Sequence, residues 1–359
     1  MLKKFKIGRF LVGEGCQPFI IAEMSGNHKR SLKRALKIVD EAAKIGVHAI
    51  KLQTYTADTI TLNSKNKEFV INDKKSLWYK RNLYDLYEEA HTPWGWHSEI
   101  IKRAKLNNMI CFSSPFDETA VDFLEKLKVP AYKIASFEIN HIPLIRRVAL
   151  TGKPIIISTG MASEKEIKEA VRAAVAEGAK KIILLKCTSE YPASVKDSNL
   201  NAIPYMQKKF KCSVGLSDHT AGLAAPLAAV ALGACVIEKH ITLNKDDGAV
   251  DSKFSLNLND FKLLIDECKN TWLALGKKKL GPTLSEKKSL RFRRSIYTTK
   301  DLKKGDIITN KNIKVIRPSN GAHPKYFSSL IGQRINQNLK KNIPFKLSFL
   351  VKNEKKNKK

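Results

Sequence analysis

Cys235-Val236-Ile237-Glu238-Lys239-His240 is the stretch that decides the fold: a short apolar run that ends in an acid, a base and an imidazole. The same grammar holds outward from it in both directions. Residues 214–216 lead into Ser217, Asp218 and His219, residues 182–185 into Lys186 and Thr188, and residues 155–157 into Ser158 and Thr159. Further upstream, 131–135 (with Lys133 inside) precedes Ser136, and 109–112 precedes Ser113 and Ser114. Residues 49–52 (with Lys51 inside) precede Gln53, and 19–22 precede Glu23. Amphipathic stretches separate these runs, as in 31–45, where Leu32, Ala35, Leu36, Ile38, Val39 and Ala42 repeat with helical period and Gly46 supplies the stop. Residues 118–127, 164–177 and 222–232 read the same way. Eight strand–helix units in a row predict an α/β fold, a (β/α)₈ TIM barrel with its chemistry at the carboxyl ends of the strands.

The bulk properties agree. A chain of 359 residues with a hydrophobic fraction of 43% can bury a barrel and a smaller domain. No apolar run approaches the roughly 20 residues of a membrane helix, and Arg9, Gly13 and Glu14 interrupt any signal-peptide core. The six cysteines form no C-x-x-C pair and several fall in strands, so free thiols and a cytoplasmic location are expected. The net charge of +31 raises a nucleic-acid partner as one reading and a lysine-rich solvated surface as the other. Dispersed lysines and the lack of a nucleic-acid motif favour the second.

The barrel is expected over residues 1–275, with 258–275 as its closing helix. Residues 276–294, rich in Lys, Arg, Gly, Pro and Ser, read as a linker. Residues 295–350 then form a small domain with short strands at 295–298 and 313–316, and 351–359 a disordered basic tail. The long connection between Gln53 and Met109 carries Trp78, Tyr79, Tyr84, Tyr87, Trp94 and Trp96. That cluster is either a sugar-facing wall at the catalytic rim or a satellite core beneath a long loop.

His219 and His240 end what should be neighbouring strands, each next to an acid. Two imidazoles so placed can bind one divalent metal with positions left open for water or substrate. Lys51 and Lys133 lie inside apolar strands, where a lysine serves either Schiff-base formation or anion neutralisation. With Lys186 and the hydroxyls of Ser113, Ser114, Ser136 and Ser217 they make a ring of donors, which favours an anion carrying phosphate and carboxylate. Glu23 and Glu238 are strand-end carboxylates that can hydrogen-bond a sugar, move a proton or pair with the ring lysines. Gln53, Ser189 and Asp218 complete the strand-end polar set.

These residues lie in motifs that resemble the sialic acid synthase family: Ile20-Ile21-Ala22-Glu23-Met24-Ser25-Gly26-Asn27-His28, Ile50-Lys51-Leu52-Gln53-Thr54-Tyr55, Ala131-Tyr132-Lys133-Ile134-Ala135-Ser136, Ser158-Thr159-Gly160-Met161, Gly215-Leu216-Ser217-Asp218-His219-Thr220 and Ile237-Glu238-Lys239-His240. Leu83-Tyr84-Asp85-Leu86-Tyr87, Thr92-Pro93-Trp94, Phe112-Ser113-Ser114-Pro115-Phe116, Lys186-Cys187-Thr188-Ser189-Glu190-Tyr191-Pro192 and Arg317-Pro318 resemble its pseudaminic acid synthase branch. The resemblance implies a barrel followed by an antifreeze-like (SAF) domain, and a homodimer in which that domain caps the partner's barrel. It implies a transferase that condenses phosphoenolpyruvate with 2,4-diacetamido-2,4,6-trideoxy-L-altrose; an acylamino mannose-type sugar, giving N-acetylneuraminic or legionaminic acid, is the alternative. By resemblance, His219 and His240 hold manganese or magnesium, and Lys51, Ser114, Lys133, Ser136 and Ser217 hold phosphoenolpyruvate. Glu23, Tyr191 and Glu238 contact the sugar or metal-bound water, and Arg317 reaches the acylamino group across the dimer. Two stretches depart from the pattern. Lys29-Arg30 stands where a small residue and glycine are usual, adding two cations at the rim. Gly248-Ala249-Val250-Asp251 relaxes a usual Gly-Gly-Pro-Asp run.

Overall fold

The computed structural model describes residues 3–277 and 279–351. The expected tail therefore lies, but for Val351, outside the described residues. Two compact units divide at Gly276/Lys277, so the linker segment groups with the second unit.

In the first unit eight parallel strands close a barrel. They are β3 (Phe19–Glu23), β4 (Ala49–Thr54), β5 (Ile110–Pro115), β6 (Tyr132–Ile134), β7 (Ile155–Ser158), β8 (Ile182–Cys187), β9 (Ser213–Asp218) and β10 (Val236–His240). The first strand meets the last in register, Phe19 opposite Val236 and Glu23 opposite His240. Helices run between them where the apolar period placed them. Leu32–Lys44 is capped by the Ser31 hydroxyl, which accepts from the Arg34 amide, and it buries Ala35, Leu36, Ile38, Val39 and Ala42. Glu164–Ala176 opens with a capping box between Ser163 and Glu166.

The sequence reading gave no structure to the N-terminal residues, which form an antiparallel hairpin, β1 (Lys4–Ile7) and β2 (Phe10–Gly13). Its strands are too short to carry a periodic signal. Its apolar side chains Phe5, Ile7 and Val12 join the inner barrel cluster with Phe19, Ile21, Ala49, Phe112, Ala131, Ile156, Ile183, Leu185 and Val236. That cluster is a solid plug, so the barrel interior is open to chemistry at one end only.

Strand parity sorts everything else. Ile20, Ile50, Ile134, Ile157, Leu184, Val214, Leu216 and Ile237 face the helices in the large outer core. The alternate residues face inward. At the inner layer β9 contributes Gly215, where a Cβ would lie 2.4 Å from the Val236 carbonyl oxygen and 2.7 Å from Leu185 Cδ2. Glycine is required there by the close approach of the neighbouring strands.

The second unit pairs β11 (Ser295–Thr298) with β12 (Ile313–Ile316) antiparallel, both at the positions read from the sequence. Its own core comprises Ile296, Leu302, Ile308, Ile313, Leu330, Ile335, Leu339 and Phe345. All six cysteines are free. Among the described residues no helix is long and apolar enough to cross a membrane.

Candidate active site

Two residues beyond the apolar plug, the same inward face of seven strands carries Glu23, Lys51, Ser114, Lys133, Ser158, Cys187 and Glu238, and β9 adds Ser217 and then His219. This follows from the two-residue period: Ile21, Ala49, Phe112, Ala131, Ile156, Leu185 and Val236 each lie two positions before one of them. The polar layer rests directly on hydrocarbon, and its members are nearly water-free, with Glu23, Lys51, Lys133 and Glu238 all at most 5% exposed.

Buried ions must find partners, and these do. Lys51 forms an ion pair with Glu23 and lies 3.7 Å from Glu238. Lys133 lies 3.8 Å from Glu238 and donates to Ser158 Oγ at 2.6 Å. Lys51 also donates to Ser114 Oγ (3.3 Å), Gln53 to Glu23 (3.1 Å) and Ser217 to Glu238 (3.1 Å). Burial opposes the charge on Lys51, but Glu23 and Glu238 outweigh it and raise its pKa. Burial dominates at Lys133 and lowers it, Glu238 offsetting only part. Burial pushes Glu23 up despite Lys51, whereas at Glu238 the attraction of Lys133 and Lys51 overcomes burial and holds the carboxyl down. Two neighbouring carboxyls are thus driven apart.

His219 and His240 stand above this layer with ring centroids 5.4 Å apart. His219 Nδ1 is engaged by the Thr188 carbonyl at 2.9 Å, which leaves Nε2 as the ring nitrogen for a ligand. His240 Nδ1 is buried without a hydrogen-bond partner, and so is Glu238 Oε2. Burial, followed by the charges of His219 and Lys51, drives His240 far below the usual imidazole range, so it is neutral. At His219 burial is outweighed by Cys187 and the Thr188 carbonyl, which raise it. A neutral imidazole with an orphaned nitrogen beside a second, oriented imidazole fits a divalent cation. Among the described residues no third His, Cys, Asp or Glu completes a protein-only cage, so a cation bound there keeps positions for other ligands.

Aromatic rings wall the histidines. Tyr191 lies 4.4 Å from His219 and Phe254 4.8 Å from His240, centroid to centroid, and Trp78 packs on both Tyr191 and Phe254. Of the aromatic insertion only Trp78 has this role. Trp94 stacks on Phe123, Trp96 meets His28, and Tyr87 packs edge-on to Tyr55; Trp96 and Phe123 pack against the outer barrel core, so these rings serve packing and form no satellite core of their own. Ser136 and Ser189 converge at the rim, where a Cβ on Gly160 would strike both hydroxyls.

Three expected members do not reach this site, for reasons of parity. Asp218 faces outward between Ser217 and His219; it forms a fully buried ion pair with Lys239 and accepts from Thr220 N (3.0 Å) and Oγ1 (3.1 Å). It shapes the turn that carries His219 and cannot bind a ligand in the barrel. Lys186 also has outward parity; its Nζ folds back to donate to the Cys187 carbonyl (2.7 Å). Ser113 faces outward too, against Thr54. Three residues were overlooked. Glu138, in the turn after β6, has Oε2 buried and unpartnered, and burial pushes its carboxyl up to about 7 against the pull of Lys133 and Lys51. Asp251 is buried, accepts from the Gly26 amide at 3.2 Å and is pushed up by burial. Cys187 faces inward 4.0 Å from His219 Nδ1. Position just beyond a strand end was the available signal for Glu138; nothing local marks Asp251.

Fold and site together define a (β/α)₈ barrel with an ionic layer at its strand ends and a separate small β domain. The chain belongs to the NeuB family, whose model matches residues 38–280, and a SAF domain matches residues 293–351. It is 46% identical to a pseudaminic acid synthase of Campylobacter jejuni over 90% of this chain and 93% of that protein. It is 42% identical to the pseudaminic acid synthase of Helicobacter pylori over 91% and 96%. The crystal structure of an N-acetylneuraminic acid synthetase from Leptospira borgpetersenii superposes with a TM-score of 0.72 at 32% identity, covering 81% of this chain and 96% of that one.

Proposed function

We propose that this chain is a pseudaminic acid synthase, a transferase that condenses phosphoenolpyruvate with 2,4-diacetamido-2,4,6-trideoxy-L-altrose and water to give pseudaminic acid and phosphate. The observation that carries it is the inward layer Glu23–Lys51–Glu238–Lys133 beneath two imidazoles, and the identities of 46% and 42% to proteins of that name support the choice of sugar.

Lys51 and Lys133, with Ser114, Ser136 and Ser217, hold the phosphate and carboxylate of phosphoenolpyruvate and direct its vinyl carbon at the sugar aldehyde. Tyr191, Gln53, Ser189, Glu138 and Asp251 line the side from which the sugar enters. Bound at His219 and His240, manganese or magnesium supplies a Lewis acid for the aldehyde oxygen. The vinyl carbon bonds to the aldehyde carbon, and the Lys51–Glu23 pair, which holds one proton between its two members, passes that proton to the alkoxide. Water adds to the cationic C2 and loses its proton to Glu238, the carboxyl held ionised. Cleavage of the bond from C2 to the phosphate-bearing oxygen then expels phosphate, which carries off the C2 hydroxyl proton as the keto group forms. Carboxyls driven apart in pKa are the physical basis for giving one the acid and the other the base role.

A homodimer completes the site in this reading. Arg317, exposed on the second unit, meets the acylamino group when that unit of one copy covers the barrel of another. The exposed Phe137 and Met161 beside Glu138 and Gly160 give such a cap an apolar rim to rest on. The enzyme works in the cytoplasm, where phosphoenolpyruvate is available. The test is phosphate release from phosphoenolpyruvate with Mn²⁺ and a panel of altrose-, mannose- and glucose-configured acylamino sugars, with product masses. Release with the altrose sugar and a nine-carbon keto acid is expected. Preference for a mannose-configured sugar would move the enzyme to the neuraminate or legionaminate branch, and release with none would refute the reading.

A further inference from the structure

The loop that carries Asp251 and Phe254 over the histidines is a closed Ω-shaped excursion. Its feet, Ile241 and Leu256, bridge each other directly. The fully buried Asn27 amide group donates to Ile241 O and to Ser255 Oγ, both at 2.8 Å, and so pins the two feet together. Inside the loop Ser255 Oγ donates to the Asp251 carbonyl (2.6 Å) and Ser252 Oγ to the Ala249 carbonyl (2.9 Å). Trp78 Nε1 donates to Val250 O (3.2 Å).

The tip is held differently. Asp247 pairs with Arg34, which also donates through Nε to the Asn27 carbonyl at 2.8 Å, and Lys29 donates to the Asp247 carbonyl. The side chains of Arg34 and Asp247 are 22% and 14% exposed, sheltered enough to escape most solvent screening. Arg30 meanwhile pairs with Glu88 of the insertion. The two stretches that depart from the family pattern, Lys29-Arg30 and 248–251, thus lie on two sides of one contact. Lys29 and Arg30 both adopt left-handed backbone, φ 50° and 51°, a conformation that favours glycine. Both rim cations have partners within the protein, so neither is a free site for a second phosphate.

We infer that Arg34 and Asp247 form a latch that positions the 241–255 loop, so that Arg34 governs sugar binding without touching the sugar. It is a positioning residue: by fixing the tip of the loop it fixes Asp251 beside Gly26 and Phe254 against His240. Phosphoenolpyruvate rests on β4, β5, β6 with the turn after it, and Ser217 of β9, and neither Arg34 nor Asp247 pairs with any of these. The inference rests on the synthase reading for its kinetic half only.

The experiment compares the full-length parent, Arg34→Met, Asp247→Asn and the charge-swapped pair Arg34→Asp/Asp247→Arg. Hydrogen exchange without substrate should speed up across 242–255 in both single variants, leave the barrel strands unchanged and recover in the swapped pair. The Michaelis constant for the sugar should rise about tenfold in the single variants, with that for phosphoenolpyruvate and kcat within about twofold, and fall again in the swap. Parental exchange at 242–255, acceleration throughout the barrel, or equal rises in both Michaelis constants would overturn the latch. A parent that turns over no sugar would refute the synthase reading, and the exchange comparison would still decide the latch.

Discussion

His240 stands opposite Glu23 across the seam where β10 meets β3, two residues far apart in the chain and register partners in the sheet. The seam places a neutral imidazole beside the carboxyl that burial pushes up. His240→Ala and His219→Ala should each abolish turnover, since Lewis-acid polarisation contributes several kcal/mol to such a reaction. Both should also weaken Mn²⁺ binding in calorimetry of the resting protein. Parental turnover in either variant would remove the metal from the site.

Lys51 neutralises two carboxylates at once. Lys51→Met should destabilise the barrel by about 3–5 kcal/mol, the cost of leaving buried charge uncompensated. Glu23→Gln in that background should recover part of the loss. Urea unfolding of the single and double variants measures it; equal stability of Lys51→Met and parent would mean that the ion pair is not formed.

Glu138 makes stability depend on pH. Its carboxyl keeps a proton in the folded chain up to about 7, while the unfolded chain loses it near 4.5, the ordinary glutamate value. The folded state therefore binds more protons between those values, and stability falls as pH rises through the window, by at most about 3 kcal/mol. Glu138→Gln should flatten that slope in thermal melts between pH 5 and 8 (a range of roughly three units) while lowering activity on the sugar. An unchanged slope would show that the carboxyl is solvated.

Adjacent residues of β9 should fail in opposite ways. Asp218→Asn leaves Lys239 buried without its partner and should cost about 3–5 kcal/mol of stability. Ser217→Ala should leave stability nearly unchanged and raise the Michaelis constant for phosphoenolpyruvate. The reverse pattern would mean that the strand is turned over.

Arg317→Ala should raise the Michaelis constant for the sugar more than that for phosphoenolpyruvate. Mixing it with His240→Ala protein should restore activity if dimers exchange, because one site then receives an intact barrel and an intact cap. No complementation after subunit exchange would place Arg317 outside the partner's site.

The sequence by itself determined the barrel, the position of nearly every strand, and the inward set Glu23, Lys51, Lys133, Ser217, Glu238, His219 and His240. It could do so because period-two burial and strand-end polarity are local properties. Parity also held the answer for Asp218, since a residue between two inward ones must face out. The expectation that Asp218 binds substrate rests on its strand-end position and leaves that parity unused. Only the tertiary structure decided the rest. The hairpin that plugs the barrel, the loop that brings Asp251 to Gly26, the orphaned carboxyl of Glu138 and the Arg34–Asp247 latch all depend on contacts between segments distant in the chain. Their energies come from burial and pairing, which no local pattern of residues encodes.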